Sequence, residues 1–194
     1  MNTPTQQIYG ELQDAYGFLN RALFEGRLPE CLITMQRRAR TFGYFCFRRF
    51  RNQTGARTDE IALNPSYFAS RTETGVLSTL AHEMMHLHQF HFGKPGRRGY
   101  HNRAWADHMI SIGLHPSDTG EPGGRQTGDQ MSHYVIDDAP FAMACAELLD
   151  DGFRFSWLED HESLFELRPR KRAASRTEGS NRWKYSCPDW GVNA

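Results

Sequence analysis

The segment Leu80-Ala-His-Glu-Met-Met-His-Leu-His88 limits most strongly what this chain can fold into. His82 and His86 are four residues apart, and residues at this spacing share one face of a helix, about 5–6 Å from each other. Two imidazoles placed in this way can bind one metal ion. Glu83 directly follows the first histidine, so its carboxylate can reach a water molecule on that ion. The segment therefore predicts a helix that carries a metal site.

The flanking sequence also favours a helix. Ser70-Arg-Thr-Glu73 has the pattern of a capping box, apolar residues follow at helical spacing, and Gly93 is a typical C-terminal stop. A helix with the pattern H-E-x-x-H is typical of zinc peptidases, in which the histidines bind the metal and the glutamate takes a proton from water. We therefore predict that His82 and His86 bind Zn²⁺ and that Glu83 is the general base.

Composition and chain termini narrow the class of protein. The chain has 194 residues, a formal net charge of zero and 39% hydrophobic residues, which fits a soluble globular domain with a tail. No apolar run approaches the roughly 20 residues that span a bilayer, and the N-terminus lacks a signal-peptide pattern. The four cysteines match no compact disulfide framework. We expect a cytoplasmic protein with reduced cysteines and no membrane partner; its oligomeric state is not indicated.

The remaining chain alternates helical and strand patterns. Further helices are predicted from Pro4 to about Phe24 after the cap Thr3, from Asn102 to Ile112, and from Pro140 to Leu149. Strands are predicted at Cys31–Gln36, Gly43–Phe50, Glu60–Asn64, His133–Ile136 and Phe153–Trp157. We divide the chain into a core (1–116), an extension (117–159) that begins with a long polar loop, and a basic tail (160–194). The extension either completes the sheet of the core or covers its cleft.

A catalytic zinc site needs a third protein ligand and an open position for water. His88 and His91 follow His86 at spacings that point their side chains away from the metal-binding face. His101 follows a loop long enough to turn back, and it directly precedes the next predicted helix. Geometry therefore favours His101 over the other histidines after the motif, which are His88, His91, His108 and His115.

Several segments of the chain resemble the SprT-like metalloprotease family. They are Leu19–Pro29 at the end of the first helix, Gly43-Tyr-Phe45, Glu60-Ile-Ala-Leu63 and Leu80–His86, and the resemblance covers about Tyr9 to Leu114. In that family the third zinc histidine lies in a His-Gly-x-x-aromatic element after a variable loop. The matching element here is His101-Asn-Arg-Ala-Trp105, with Asn102 in place of the usual glycine.

The resemblance implies fold and activity. The fold would be α+β and zincin-like, with helices packed on a small, mainly antiparallel sheet and the active-site helix lying across it. The activity would be hydrolysis of peptide bonds in a protein substrate, with His82, His86 and His101 as zinc ligands. Tyr44, Arg48 and Tyr100 are candidates for stabilising the oxyanion, and aromatic packing or a solvated charge is the alternative role for each.

Spartan-type members of the family degrade proteins crosslinked to DNA and are activated by DNA. Basic side chains can bind phosphates while neighbouring aromatic rings stack on unpaired bases. The alternative is that the aromatic residues fill the core, and that the basic residues coat a solvated face or linker. The candidate DNA-binding residues are Arg37, Arg38, Arg40, Arg49 and Arg51 near the catalytic strands, Arg97 and Arg98 beside the third ligand, and Lys171 and Arg172 in the tail.

The segment Lys184–Gly191 resembles the first knuckle of the zinc ribbon in bacterial SprT-like proteins. Trp190 stands where the second cysteine of Cys-Pro-x-Cys-Gly would be, and only Cys187 remains. A ribbon needs four ligands, so we expect no second zinc site from this segment, which is either decayed or truncated.

Three hypotheses remain. The first is a zinc protease acting on DNA-bound or DNA-crosslinked proteins, which would place it at the nucleoid. The second is a DNA-independent regulatory or effector protease with a dedicated protein target, which the zero net charge favours. The third is a noncatalytic zinc-containing module that binds DNA or protein. Glu83 argues against the third, because a structural zinc site does not need a carboxylate there.

Overall fold

The computed structural model describes residues 2–97 and 99–160, together with the backbone of Tyr185–Ser186. The predicted basic tail and its ribbon-like segment therefore lie almost entirely outside the described residues. The helices are α1 (Pro4–Phe24), α2 (Glu73–Phe92), α3 (Arg103–Ser111) and α4 (Pro140–Asp150). The strands are β1 (Leu32–Met35), β2 (Gly43–Arg51), β3 (Arg57–Leu63), β4 (Leu114–Ser117), β5 (Gln130–Val135) and β6 (Tyr185–Ser186).

The first sheet has the strand order β1-β3-β2. Its two outer strands differ in direction, because β1 is parallel to β3 and β2 is antiparallel to it. Phe45 on β2 and Ile61 on β3 are paired in register and buried against α2, whereas Leu32 on β1 is largely exposed. The mixture of helices and small sheets confirms the predicted α+β class.

The second sheet has the order β4-β5-β6, and both of its pairs are antiparallel. Strand β4 was not predicted, because Gly113 and Pro116 indicated only the end of a helix. Gly113 provides the turn between α3 and β4 with a φ of 91°, and a Cβ there would come within 2.8 Å of Ala139 Cβ. The strand predicted at His133–Ile136 is present as part of β5, which begins three residues earlier.

Two local predictions were wrong. Thr72 rather than Ser70 caps α2, since its hydroxyl accepts a hydrogen bond from the backbone N–H of Gly75. Phe153–Trp157 is not a strand. Within the described part of the chain, the segment makes hydrogen bonds to side chains of α1 and not to a neighbouring strand. Glu11 accepts a hydrogen bond from Ser156 N–H, and Gln7 accepts one from the indole of Trp157.

Helix α2 lies in the centre of the hydrophobic core. The core includes residues from α1, α2, α3 and α4 and from both sheets, so the helix with the metal motif is packed on several sides. Twelve of its residues are buried, among them His82 and Glu83. Among the described residues, no helix is both long and apolar enough to cross a membrane.

Asn20 joins α1 to the loop that leads into β1. Its side-chain amide donates to the carbonyl of Leu28 and its oxygen accepts from the N–H of Leu28, both at 3.1 Å. Asn20→Ala leaves these two buried groups unpaired, so we expect the free energy of unfolding to fall by about 2–4 kcal/mol. Urea denaturation measures the change. Gln13→Ala is the control, because Gln13 is exposed on the same helix and should cost at most ~0.5 kcal/mol. Equal losses in the two variants would contradict the role of Asn20.

Candidate metal centre

Helix α2 presents the first two histidines and the glutamate of the motif. His82 and Glu83 are buried, with 0% and 1% of their surface exposed, and His86 is half-buried one turn further along the helix. The rings of His82 and His86 are 5.1 Å apart. The i, i+4 spacing therefore brings the two imidazoles together, as the sequence indicated.

His101 reaches the two histidines of α2 from the residue just before the cap of α3. Its backbone N–H and C=O pair with the C=O and N–H of Gly128, at 2.9 and 3.2 Å. The following residue, Asn102, caps α3 through a hydrogen bond from Trp105 N–H, and it also accepts one from Gln89 of α2 at 2.8 Å. Asn102, the residue that departs from the family pattern, thus ties α3 to the metal-binding helix.

The three histidines form a cluster that fits a metal ion. Their ligand nitrogens all lie within 4.8 Å of one another, and Nε2 of His86 is 3.1 Å from Nε2 of His101. Two nitrogens bound to one tetrahedral zinc ion, with Zn–N bonds of about 2.0–2.1 Å, are separated by roughly 3.3 Å. A set of three imidazoles also leaves a fourth position for water. The donor set and its spacing therefore fit a zinc ion.

The surroundings keep these imidazoles neutral, which is the form that binds a metal. Burial lowers the pKa of His82 and of His86 well below the usual value. Burial also lowers the pKa of His101 to about 4, although the Gly128 carbonyl and Asp129 act in the opposite direction. The cluster can therefore offer three uncharged nitrogen donors at neutral pH.

Trp105 forms one wall of the cluster. It is fully buried, its ring is stacked on His86 with centroids 5.2 Å apart, and it meets His101 edge-on at 4.5 Å. The centroid of its ring is also 4.9 Å from that of His82. Trp105, four residues after His101, therefore packs against all three histidines.

The carboxylate of Glu83 lies beneath strand β2. The backbone N–H of Phe45 hydrogen-bonds to it, and burial raises its pKa to about 8. Its other oxygen, Oε2, is buried and has no hydrogen-bond partner among the described residues. Gly43 allows this close approach, because a Cβ there would come within 2.9 Å of Ala62 O and 3.3 Å of Glu83 Cγ. Glu83 directly follows His82 on α2, and the positive charge of a bound metal ion would lower the pKa of its carboxyl group, so that the group could accept a proton from a water molecule.

Two further contacts come from residues that the sequence analysis did not single out. Nδ1 of His133, on β5, is 3.1 Å from Nδ1 of His82, and its Nε2 is 2.9 Å from the Ser78 hydroxyl. The carbonyl of Gly128 is 3.0 Å from Nδ1 of His101. Burial lowers the pKa of His133 to about 3. Alternation along a predicted strand could have indicated that His133 is buried, but not which helix it faces.

The structure does not bring the three candidate oxyanion residues to the histidine cluster through any described contact. Tyr44 alternates with Phe45 on β2, so it lies on the sheet face away from α2, where it hydrogen-bonds to Glu60. Arg48 lies in a bulge of β2 with a φ of 47°, and its guanidinium covers the ring of Phe47. Tyr100 precedes His101, but its ring is covered by Arg97 at 4.9 Å.

The candidate DNA-binding arginines have different surroundings. Arg37 is paired with Glu159 at 3.2 Å, and Arg97 with Asp129 at 2.9 Å. Arg38 lies over the ring of Tyr44, at 5.9 Å. Three more are exposed, namely Arg40 in the loop before β2 and Arg49 and Arg51 on β2 itself. Arg98, Lys171 and Arg172 lie outside the described residues.

Comparison with known proteins identifies the family. The family model for SprT-like proteins matches residues 12–122, which is more than half of the chain. A Salmonella typhimurium protein described as "Uncharacterized protein in mucB 3'region" is 52% identical over 62 residues, which are 31% of this chain and 84% of that protein. The residues that match the family model include the whole first sheet, the metal-binding helix and His101. The predicted resemblance is thereby confirmed: the chain belongs to the SprT-like family, which is associated with metallopeptidase activity.

Proposed function

We propose that this protein is a zinc-dependent endopeptidase. The observation that carries the proposal is the convergence of His82, His86 and His101 on one point. The buried Glu83 directly follows His82 on the same helix. These three imidazoles would hold the ion. When bound, zinc would act as a Lewis acid that polarises the scissile carbonyl and lowers the pKa of a water molecule, so that the water can lose a proton and attack the carbonyl at neutral pH.

The protein's own groups would move the protons. Glu83 accepts the proton of the attacking water and then delivers it to the leaving amine as the peptide bond breaks. The hydrogen bond from Phe45 N–H holds the carboxylate in place, and Trp105 excludes water from one side of the cluster. Strand β2, an edge strand of the first sheet, borders the glutamate.

We propose proteins bound or crosslinked to DNA as the substrates. Arg40, Arg49 and Arg51 support this substrate class, because they are exposed in or next to the strand that borders Glu83. Cationic side chains there could bind DNA phosphates and bring a DNA-bound protein close to the site.

A protease with a dedicated, DNA-independent target is the second candidate. The packing of the aromatic rings near the candidate DNA-binding arginines supports this second candidate. Phe42 is covered by Arg71 and packs on Tyr67, while Phe47 stacks on Phe90. Rings packed in this way are poorly placed to stack on bases. The zero net charge also agrees with this alternative.

Cleavage of a histone with and without single-stranded DNA distinguishes the two candidates. For the first candidate we expect cleavage that depends on DNA, and the double variant Arg49→Ser/Arg51→Ser should lose most of this stimulation at 150 mM salt. Arg103→Ser is the matched control, because this arginine is paired with Asp107 on α3. Cleavage that is indifferent to DNA would favour the dedicated protease. Absence of cleavage from histone and from a panel of unstructured proteins would count against the enzymatic proposal.

A further inference from the structure

A buried chain of polar groups leads from the metal cluster back to the first turn of α2. Nδ1 of His82 is 3.1 Å from Nδ1 of His133, whose Nε2 is 2.9 Å from the hydroxyl of Ser78. Ser78 in turn donates to the carbonyl of Gly75 at 3.0 Å. His82, His133 and Ser78 are 0%, 8% and 3% exposed. Groups in such a chain orient one another, because each buried donor needs an acceptor.

The last acceptor determines the direction of the whole chain. The carbonyl oxygen of Gly75 can only accept, so the single hydroxyl proton of Ser78 points at it. The oxygen of Ser78 then accepts the proton on Nε2 of His133, and a neutral imidazole with a proton on Nε2 has a lone pair on Nδ1. This lone pair accepts the Nδ1 proton of His82. The remaining nitrogen of His82, Nε2, consequently has the lone pair that a metal ligand requires.

We propose that His133 is a positioning residue for the metal centre: it holds His82 in the tautomer with the proton on Nδ1 and fixes the plane of its ring. The inference rests on the proposed zinc site. Metal-binding histidines usually donate their second N–H to a carboxylate, a carbonyl or water, and here an imidazole is the acceptor. His101 has a carbonyl acceptor, from Gly128. The stretch 128–133 therefore orients two of the three proposed ligands, which gives the extension a role in the metal site.

Zinc affinity, measured on the full chain by competition with a chelator, tests the proposal. His133→Phe keeps a planar ring but removes the acceptor, so we expect zinc to bind 10–100-fold more weakly. His133→Gln should restore the affinity to within a few-fold of wild type, because its carboxamide oxygen can accept from His82 and its amide can donate to Ser78. Ser78→Ala, which leaves His133 in place but without its outer partner, should give a smaller loss than His133→Phe.

The visible spectrum of the cobalt(II)-loaded protein provides a second readout, because its bands report the geometry of the ligands and not the stability of the fold. We expect His133→Phe to change the bands and His133→Gln to keep them. His115→Phe is the matched control, since His115 lies on the neighbouring strand β4 and stacks on Tyr134. This control should match wild type in zinc affinity and in spectrum.

The outcomes are distinct. Wild-type zinc affinity and an unchanged cobalt spectrum in His133→Phe would overturn the positioning role and leave the proposed function intact. If His133→Phe does not fold, the zinc affinities of His133→Gln and Ser78→Ala test the proposal instead. A folded His133→Gln that binds zinc about 10–100-fold more weakly than wild type would overturn the hydrogen-bonding argument. A wild-type protein that does not bind zinc would refute the proposed function and, with it, this inference.

Discussion

Replacing Glu83 by glutamine should abolish detectable proteolysis, with kcat lowered by about 10²–10⁴-fold. Glutamine has nearly the same shape as glutamate and can still accept the hydrogen bond from Phe45 N–H. It cannot take a proton from water at neutral pH. The zinc content should stay at one ion per chain, because the three histidines are unchanged. Loss of activity with retained zinc would separate the step at Glu83 from metal binding.

The matched control for this variant is Glu147→Gln on α4, where the glutamate is exposed. It removes one negative charge from the surface and should leave cleavage, zinc content and melting temperature at wild-type values. Steady-state cleavage, metal analysis and thermal melting are measured on all three proteins. Wild-type activity in Glu83→Gln would rule out the glutamate as general base, and loss of zinc from that variant would show that Glu83 itself contributes to metal binding.

The metal-binding helix is the part of the site that could be predicted best from the sequence. Spacing along one helix decides whether His82 and His86 share a face, and this needs no knowledge of distant segments. The start of α3 was predictable for the same reason, because Asn102 caps the helix that directly follows His101. Local chemistry of this kind predicts where an element begins along the chain, and here it predicted the elements next to which the three histidines lie.

The contacts that orient the ligands could not be predicted in this way. His133 lies 51 residues after His82, and their meeting depends on how β5 pairs with β4 and packs on α2. Alternation of Met131 and His133 indicates that both are buried on one face of a strand, as they are. The pattern contains no information on the element that this face covers.

The wrong local predictions have a related cause. Ser70 and Thr72 are equally suitable as caps by residue type. The Ser70 hydroxyl donates to the carbonyl of Tyr67, at the end of the short turn Pro65–Tyr67, and Thr72 is left as the N-cap of the helix. Phe153 and Phe155 alternate as in a strand. Phe155 instead packs on Phe68 without a strand partner, so burial alone explains the alternation.

His101→Ala should weaken zinc binding by more than 100-fold and eliminate cleavage. Loss of a direct ligand is expected to exceed the 10–100-fold cost of losing an outer partner, and two histidines on one helix leave the ion open to solvent on the side of α3. The matched control is His108→Ala, which removes an exposed imidazole from α3, the helix that follows His101, and should leave zinc affinity at the wild-type value.

Thermal or chemical unfolding with and without zinc measures the difference in zinc affinity between these variants as a difference in the free energy of unfolding. At a free zinc concentration a thousandfold above Kd, binding to the folded state alone stabilises the wild-type protein by about 4 kcal/mol. His108→Ala should keep this gain. In His101→Ala the same zinc concentration is at most about ten times the weakened Kd, so the gain falls to roughly 1.4 kcal/mol or less. If His108→Ala loses the stabilisation and His101→Ala keeps it, the third ligand has been assigned to the wrong histidine, although the motif on α2 would still hold the ion.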